Sequence, residues 1–123
     1  MTGTDVITNR VRFIVTDKDS VRWEDPILIR YLNDGVELIA TFRPEALLTA
    51  PYTRGTVTDV ASVGDTISIA NRYRDSLVDY VCARAFAQDA QDKQDLARSN
   101  LHMQQFIRKS GIPPAAASGQ KRG

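Results

Sequence analysis

A single cysteine, Cys82, is all the thiol this chain carries, so an internal disulfide and a cysteine-built metal site are both excluded. Histidine is just as scarce. His102 stands alone, with no second imidazole to share a metal. There is no glycine-rich phosphate loop and no nucleophile elbow. No apolar run approaches the roughly 20 residues that span a bilayer, and the start, Met1 to Asp5, has neither the basic head nor the apolar centre of a signal peptide. Charge of one sign is missing too: 16 Lys and Arg against 15 Asp and Glu leave +1, short of the excess a dedicated nucleic-acid binder carries. These absences predict a cytosolic product with no cofactor, no metal and no membrane partner. What remains, 123 residues with 42% hydrophobic and 25% charged content, suits one globular domain with one core.

The stretch from Trp23 to Pro44 organises the rest. Asp25 suits a helix N-cap and Pro26 the first helical position, where no N–H is needed. Pro44 cannot continue a helix and pushes Arg43 out of helical geometry. Between them Leu28, Leu32, Gly35, Ile39 and Phe42 recur at helical spacing, widened by Ile27, Tyr31 and Leu38. Gly35 costs about 1 kcal/mol against Ala inside a helix, which makes sense where another element crosses closely. Trp23 is expected to fold over the helix start.

The remaining segments are read around that helix. Residues 5–16 carry Ile7, Val11, Ile14 and Val15 at helical spacing, with Thr4 as cap and Arg10 and Arg12 turned outward. Thr56 to Val60 and Thr66 to Ile69 have strand character about a turn composition, Ser62 to Asp65, so residues 49–70 are expected to form a β-hairpin or extended arm. So small a hairpin is marginal alone and would lean on a partner; its candidate contact residues are Arg54, Val57, Val60, Ile67 and Ile69. A third helix is predicted over 72–88, with rows Tyr73, Leu77, Val81, Ala85 and Val78, Cys82, Phe86 implying deep burial. A turn at Asp89 to Asp92 is preferred over the alternative of a single long helix to Lys109, and after it a fourth helix over 92–109 would fold back on the stripe Leu96, Met103, Phe106, Ile107, ended by Ser110-Gly111. The tail from Ile112, through Pro113 and Pro114 to Lys121 and Arg122, has no stripe, and alone it is expected to be disordered. The expected fold is therefore mainly α: a four-helix bundle-like domain over 1–111, with a central hairpin arm and an extended tail over 112–123.

Candidate chemistry is thin. His102, between Leu101 and Met103, has no partner in sequence that would position it as a base, so a structural role is favoured. Cys82 among apolar neighbours reads as a buried, inert thiol. Asp89, Asp92 and Asp95 suit a helix start better than a cation site. Asn33 and Asp34 lie on the polar side of their helix, where a solvated or inter-subunit contact is ordinary. Arg72 and Arg74, flanking Tyr73, and the basic pair Lys121 and Arg122 offer the only nucleic-acid reading, that of a small helical DNA-binding or regulatory protein. No constellation supports an enzyme.

The order of motifs goes further. Trp23, then Tyr31-Leu32-Asn33-Asp34-Gly35, then Phe42-Arg43-Pro44-Glu45-Ala46, resembles the signature of tailed-bacteriophage head–tail adaptor (connector) proteins; the blocks Asn71 to Val81 and Arg84 to Ala90, with Tyr73 and Tyr80, look like the same family's third helix. The resemblance covers residues 5–111, although the central region is shorter than in relatives with longer inserted β segments. It implies a structural protein of the virion neck, made in the host bacterial cytoplasm. Such a protein forms a twelve-copy ring beneath the portal, extends the channel for the genome DNA without sequence-specific binding, and docks the tail, nozzle or next connector. It also implies that the C-terminal tail, with Ile112, Pro113, Pro114, Lys121 and Arg122, grips the portal as an extended segment. Weak subunit contacts repeated around a ring strengthen one another.

Overall fold

The computed structural model describes residues 1–15, 23–48, 59–88 and 93–113. Four helical elements make up most of it. The first, α1, is a π-helical stretch, Thr4–Val11, that tightens into an α-helical turn, Arg12–Ile14. Helix α2 is Asp25–Phe42, followed by a 3-10 turn, Pro44–Ala46. A second 3-10 turn, Asn71–Tyr73, leads into α3, Arg74–Gln88, and α4 is Lys93–Ser110.

Helix α3 is the centre of the molecule. Leu77, Val81, Cys82, Ala83 and Ala85 are wholly buried, and Val78, Tyr80 and Phe86 nearly so. Burying one such Val, Leu or Phe side chain stabilises the fold by about 1.5–3 kcal/mol. Helices α2 and α4 both run antiparallel to α3. From α2, Tyr31 reaches Gln88 while Gly35 meets Tyr80 and Leu77; from α4, Ser99 reaches Ala83 while His102 reaches Asp79. Tyr80 joins the two sides, its ring against Gly35 on one and 5.0 Å from the Phe106 ring on the other.

Helix α2 buries Leu28, Leu32, Gly35 and Ile39 as the spacing predicts, and adds Ile29, Val36 and Ala40. Phe42, expected inside, is 38% exposed, and Ile27 and Leu38 are only half-buried. Its N-cap position is Glu24, not Asp25. Asp25 is instead the first helical residue, and its carboxylate accepts from Arg12 Nη2 at 2.5 Å. That pairing corrects the outward placement of Arg12, which is 3% exposed and also donates to the Trp23 carbonyl at 2.9 Å. A guanidinium taken from water needs such partners.

The π register explains the rest of α1. With i→i+5 bonding, residues five apart share a face, so Val6 and Val11, and likewise Ile7 and Arg12, point inward together. Ile14, predicted to be inside at α-helical spacing from Ile7, is rotated out to 43% exposure.

The expected β-hairpin over 49–70 is contradicted. Among the described residues there is no strand and no hairpin, only two isolated bridges, Thr2 to Thr66 and Leu47 to Ile69. The described part, residues 59–70, is extended on either side of a turn, and its long-range backbone-to-backbone hydrogen bonds go to two other parts of the chain. Met1, Gly3 and Thr4 bond Ile67, Asp65 and Val63, while Ala46 and Leu48 bond Ala70 and Ser68. Val60, Ile67 and Ile69, assigned to an arm for neighbouring subunits, are buried in this chain's own core at 3%, 0% and 0% exposure. Alternation of Thr66 and Ser68 with Ile67 and Ile69 specifies an extended, half-buried backbone; it does not choose the partner. Arg54 and Val57 lie outside the described residues.

A Cβ on Gly35 would sit 2.9 Å from a ring carbon of Tyr80 and 3.2 Å from Leu77 Cδ2. Tyr80 cannot retreat, because Phe106 lies behind it. Gly35→Leu is expected to lower stability by about 1–3 kcal/mol through over-packing, read as a lower urea midpoint at unchanged slope. An unchanged midpoint would show that α2 and α3 separate there without cost.

Candidate functional site

Two places concentrate polar chemistry. The first lies where α2 faces α3. Arg84, half-buried, donates from Nη1 to Asp34 Oδ2 at 3.1 Å and to the Tyr80 hydroxyl at 2.8 Å, and its guanidinium stands 4.6 Å from the Tyr31 ring centre. Tyr31 in turn donates to Gln88 Oε1 at 2.7 Å. Burial raises the phenol pKa of both tyrosines above the ordinary value, and the nearby Arg84 partly opposes the rise. Neither phenol is poised as a base near neutral pH.

Asn33, read as a solvated or inter-subunit residue, does something else. Its Nδ2 donates to the Val60 carbonyl at 2.9 Å, and its Oδ1 accepts the Val60 N–H at 2.8 Å. The amide thus serves one residue of the extended segment as a neighbouring strand would. Arg43 plays a similar part at the other end of α2. Its Nε and Nη2 donate to the carbonyls of Ser110 and Gly111 at 3.1 and 2.7 Å, satisfying the C-terminal end of α4. Gly111 has φ +74°, and an added Cβ would collide with that guanidinium. Pro44 begins the 3-10 turn, Leu32 is fully buried, Trp23 meets Phe86 edge-to-face at 6.4 Å, and Tyr73 is buried beneath Arg72. The signature residues are framework residues.

The second place is an open groove of about 440 Å³ between α1, α3 and α4, lined among others by Arg10, Phe13, Ile14, Val78 and Gln105. Asp79, 4% exposed, forms its base. One carboxylate oxygen accepts from His102 Nδ1 at 2.9 Å and the other from Lys109 Nζ at 2.7 Å. His102 also stacks on Phe86 at 5.9 Å. An imidazole held by a buried carboxylate can act as a base, yet among the described residues no Ser, Thr or Cys lines this groove to be activated. Here the pair bridges α3 to α4.

Cys82 is wholly buried, and desolvation, with Asp79 a turn away, pushes its thiol pKa far above the ordinary range. Asp95 is buried and pairs with Arg98 at 3.5 Å; Asp89 and Asp92 lie outside the described residues. Among the described residues no group of His, Cys, Asp and Glu has the arrangement of a metal site. Leu96, expected in the buried stripe of α4, is 52% exposed, because the helix presents Asp95, Ser99, Phe106 and Ser110 inward instead. Ile112, assigned to a portal-gripping tail, is 1% exposed in the core; Pro113 is exposed, and Pro114, Lys121 and Arg122 lie outside the described residues. The buried charges Arg12 and Asp79 were missed, since charge normally marks an outward position. Scanned against protein-family models, curated proteins and solved structures, the chain finds no match.

Two outcomes are expected. Asp79→Asn should cost about 1.5–3 kcal/mol, the range for hydrogen bonds to charged groups. Lys109→Met, which removes an ammonium on a side chain 43% exposed, should cost under about 1 kcal/mol. Chemical denaturation of both variants checks the order, and equal costs would mean that Asp79 is not the shared anchor. Separately, Cys82 should resist a thiol reagent at pH 8 in the native protein and react at once in denaturant; rapid native labelling would contradict its burial.

Proposed function

We propose that this chain is a structural, non-catalytic head–tail adaptor of a tailed bacteriophage, forming a ring under the portal that extends the DNA channel and docks the tail or nozzle. The observation that carries the reading is the convergence of the signature residues. Trp23, Asn33, Asp34, Gly35, Arg43 and Tyr80, spread over much of the sequence, each make a tie between elements of one framework. That is the demand on a neck component, whose subunits must hold a fixed shape while force and DNA pass through the assembly.

The surface agrees. Phe13, Ile14, Leu48, Leu96 and Leu101 are 43–61% exposed, apolar area that subunit and partner contacts would cover. No described helix is long and apolar enough to cross a membrane. The DNA-binding alternative has less support. Arg72 donates to the Glu45 carbonyl and lies over Tyr73, which engages it within the chain, and the Nε of Arg74 is buried, 3.9 Å from the Asp75 carboxylate.

The burial of Ile112 moves the start of any portal-binding tail beyond it. Removing residues 114–123 should leave the unfolding midpoint unchanged and abolish attachment to the cognate portal ring. Electron microscopy of portal mixed with the full chain should show added ring density below it, and no density with the shortened chain. Attachment without residues 114–123 would overturn the tail assignment. A full-length chain that never binds the portal would overturn the adaptor reading itself.

A further inference from the structure

Two exposed patches of this chain have matching character and belong to different parts of its surface. One follows the end of α2. Phe42 and Leu48 are 38% and 55% exposed, with the exposed Glu45 between them. The backbone carbonyl of Glu45 accepts from Arg72, but its carboxylate has no partner among the described residues. The other patch is the mouth of the groove on α1, where Phe13 and Ile14 are 61% and 43% exposed beside the exposed Arg10.

Charge in that groove is compensated except at one point. Asp79 is shared between His102 and Lys109, and Asp75 stands 3.9 Å from Arg74. Arg10 alone makes no ion pair among the described residues of the groove. The π register of α1 creates this surface: it turns Ile14 outward where an α-helix would have kept it inside. Such stretches are rare and often coincide with function.

We propose that copies of this chain join head to tail, with Phe42, Glu45 and Leu48 of one copy seated against Arg10, Phe13 and Ile14 of the next. The inference rests on the adaptor reading and names the surfaces its ring would use. Because the two patches differ, the contact is heterologous, the kind that closes into a ring when the rotation per step allows. Each apolar pair leaves water together, and Glu45 supplies the anion that Arg10 lacks.

Charge exchange tests it. Arg10→Glu and Glu45→Arg are both on exposed positions, and circular dichroism should show both folded. Each alone sets like charges opposite one another and should weaken association of the full chain by at least about tenfold, measured by sedimentation with and without the portal ring. Mixing the two variants should restore assembly, since alternating copies then meet only opposite charges; the double variant should restore it too. Single variants that assemble like the original, or a mixture that fails, would overturn these surfaces while leaving the ring reading in place. An original chain that stays monomeric with the portal present would overturn both.

Discussion

A carboxylate buried at the centre of the molecule sets the position of everything around it. Asp79 lies in α3, the most enclosed helix, and is 4% exposed. An unmatched charge there would be expensive, so the helix that packs on this face must bring hydrogen-bond partners to it. Helix α4 brings two, the His102 imidazole and the Lys109 ammonium, at positions that both meet the carboxylate. Among the fully buried described positions of this helix only Phe106 is large and hydrophobic, with Met103 and Ile107 partly buried against the core. Ser99 adds a hydroxyl bond to the Ala83 carbonyl, and Ser110 turns back on the carbonyl of Phe106. Polar matching fixes the register of α4, and Phe106 then supports Tyr80, against which α2 closes at Gly35.

The same logic governs the parts that are not helical. A backbone withdrawn from water must find partners for its N–H and C=O groups. Among the described residues no sheet supplies them, so the extended segment borrows them from the N-terminal residues, from the residues after α2, and from the Asn33 amide. Arg43 does for the end of α4 what a cap residue would, from a helix distant in sequence. Arg12 ties α1 to the start of α2 through Asp25 and the Trp23 carbonyl. Each tie uses one side chain to serve backbone or charge elsewhere, and together they replace the regularity that a sheet would provide.

This explains what was legible in the sequence. The limits of α2 are local matters, set by Pro26 and Pro44, and the apolar rows of α3 are dense enough to read at sight. The hairpin does not follow from the sequence, because Thr66 to Ile69 encodes extension and alternation but not the identity of the pairing segment. The stripe of α4 holds at Phe106, which is buried, and at Met103 and Ile107, which pack against the core, but fails at Leu96, where Asp95 and Ser99 take the interior and the leucine faces solvent. Ile112 went to the tail because it follows the helix-ending glycine, yet the chain turns at Gly111 and returns it to the core. These expectations fail where a residue's environment is decided by a partner far along the chain; Ile14 fails for a local reason, the π register of α1.

The division of labour between inward and outward residues bears on function. Of the residues that carry the resemblance to connector proteins, Trp23, Tyr31, Leu32, Gly35, Ala46 and Tyr80 are buried and hold the framework, while Asp34, Phe42, Pro44 and Glu45 are exposed. What the chain touches must be decided by the residues the framework leaves exposed. Here they include Phe13 and Ile14, brought out by the π register, and Leu48 beyond the turn after α2. Exposed apolar side chains are ordinary on a protein surface, so it is their company with uncompensated charges of opposite sign that gives these patches a direction. Their chemistry, more than the signature itself, supports the proposal that copies of this chain associate.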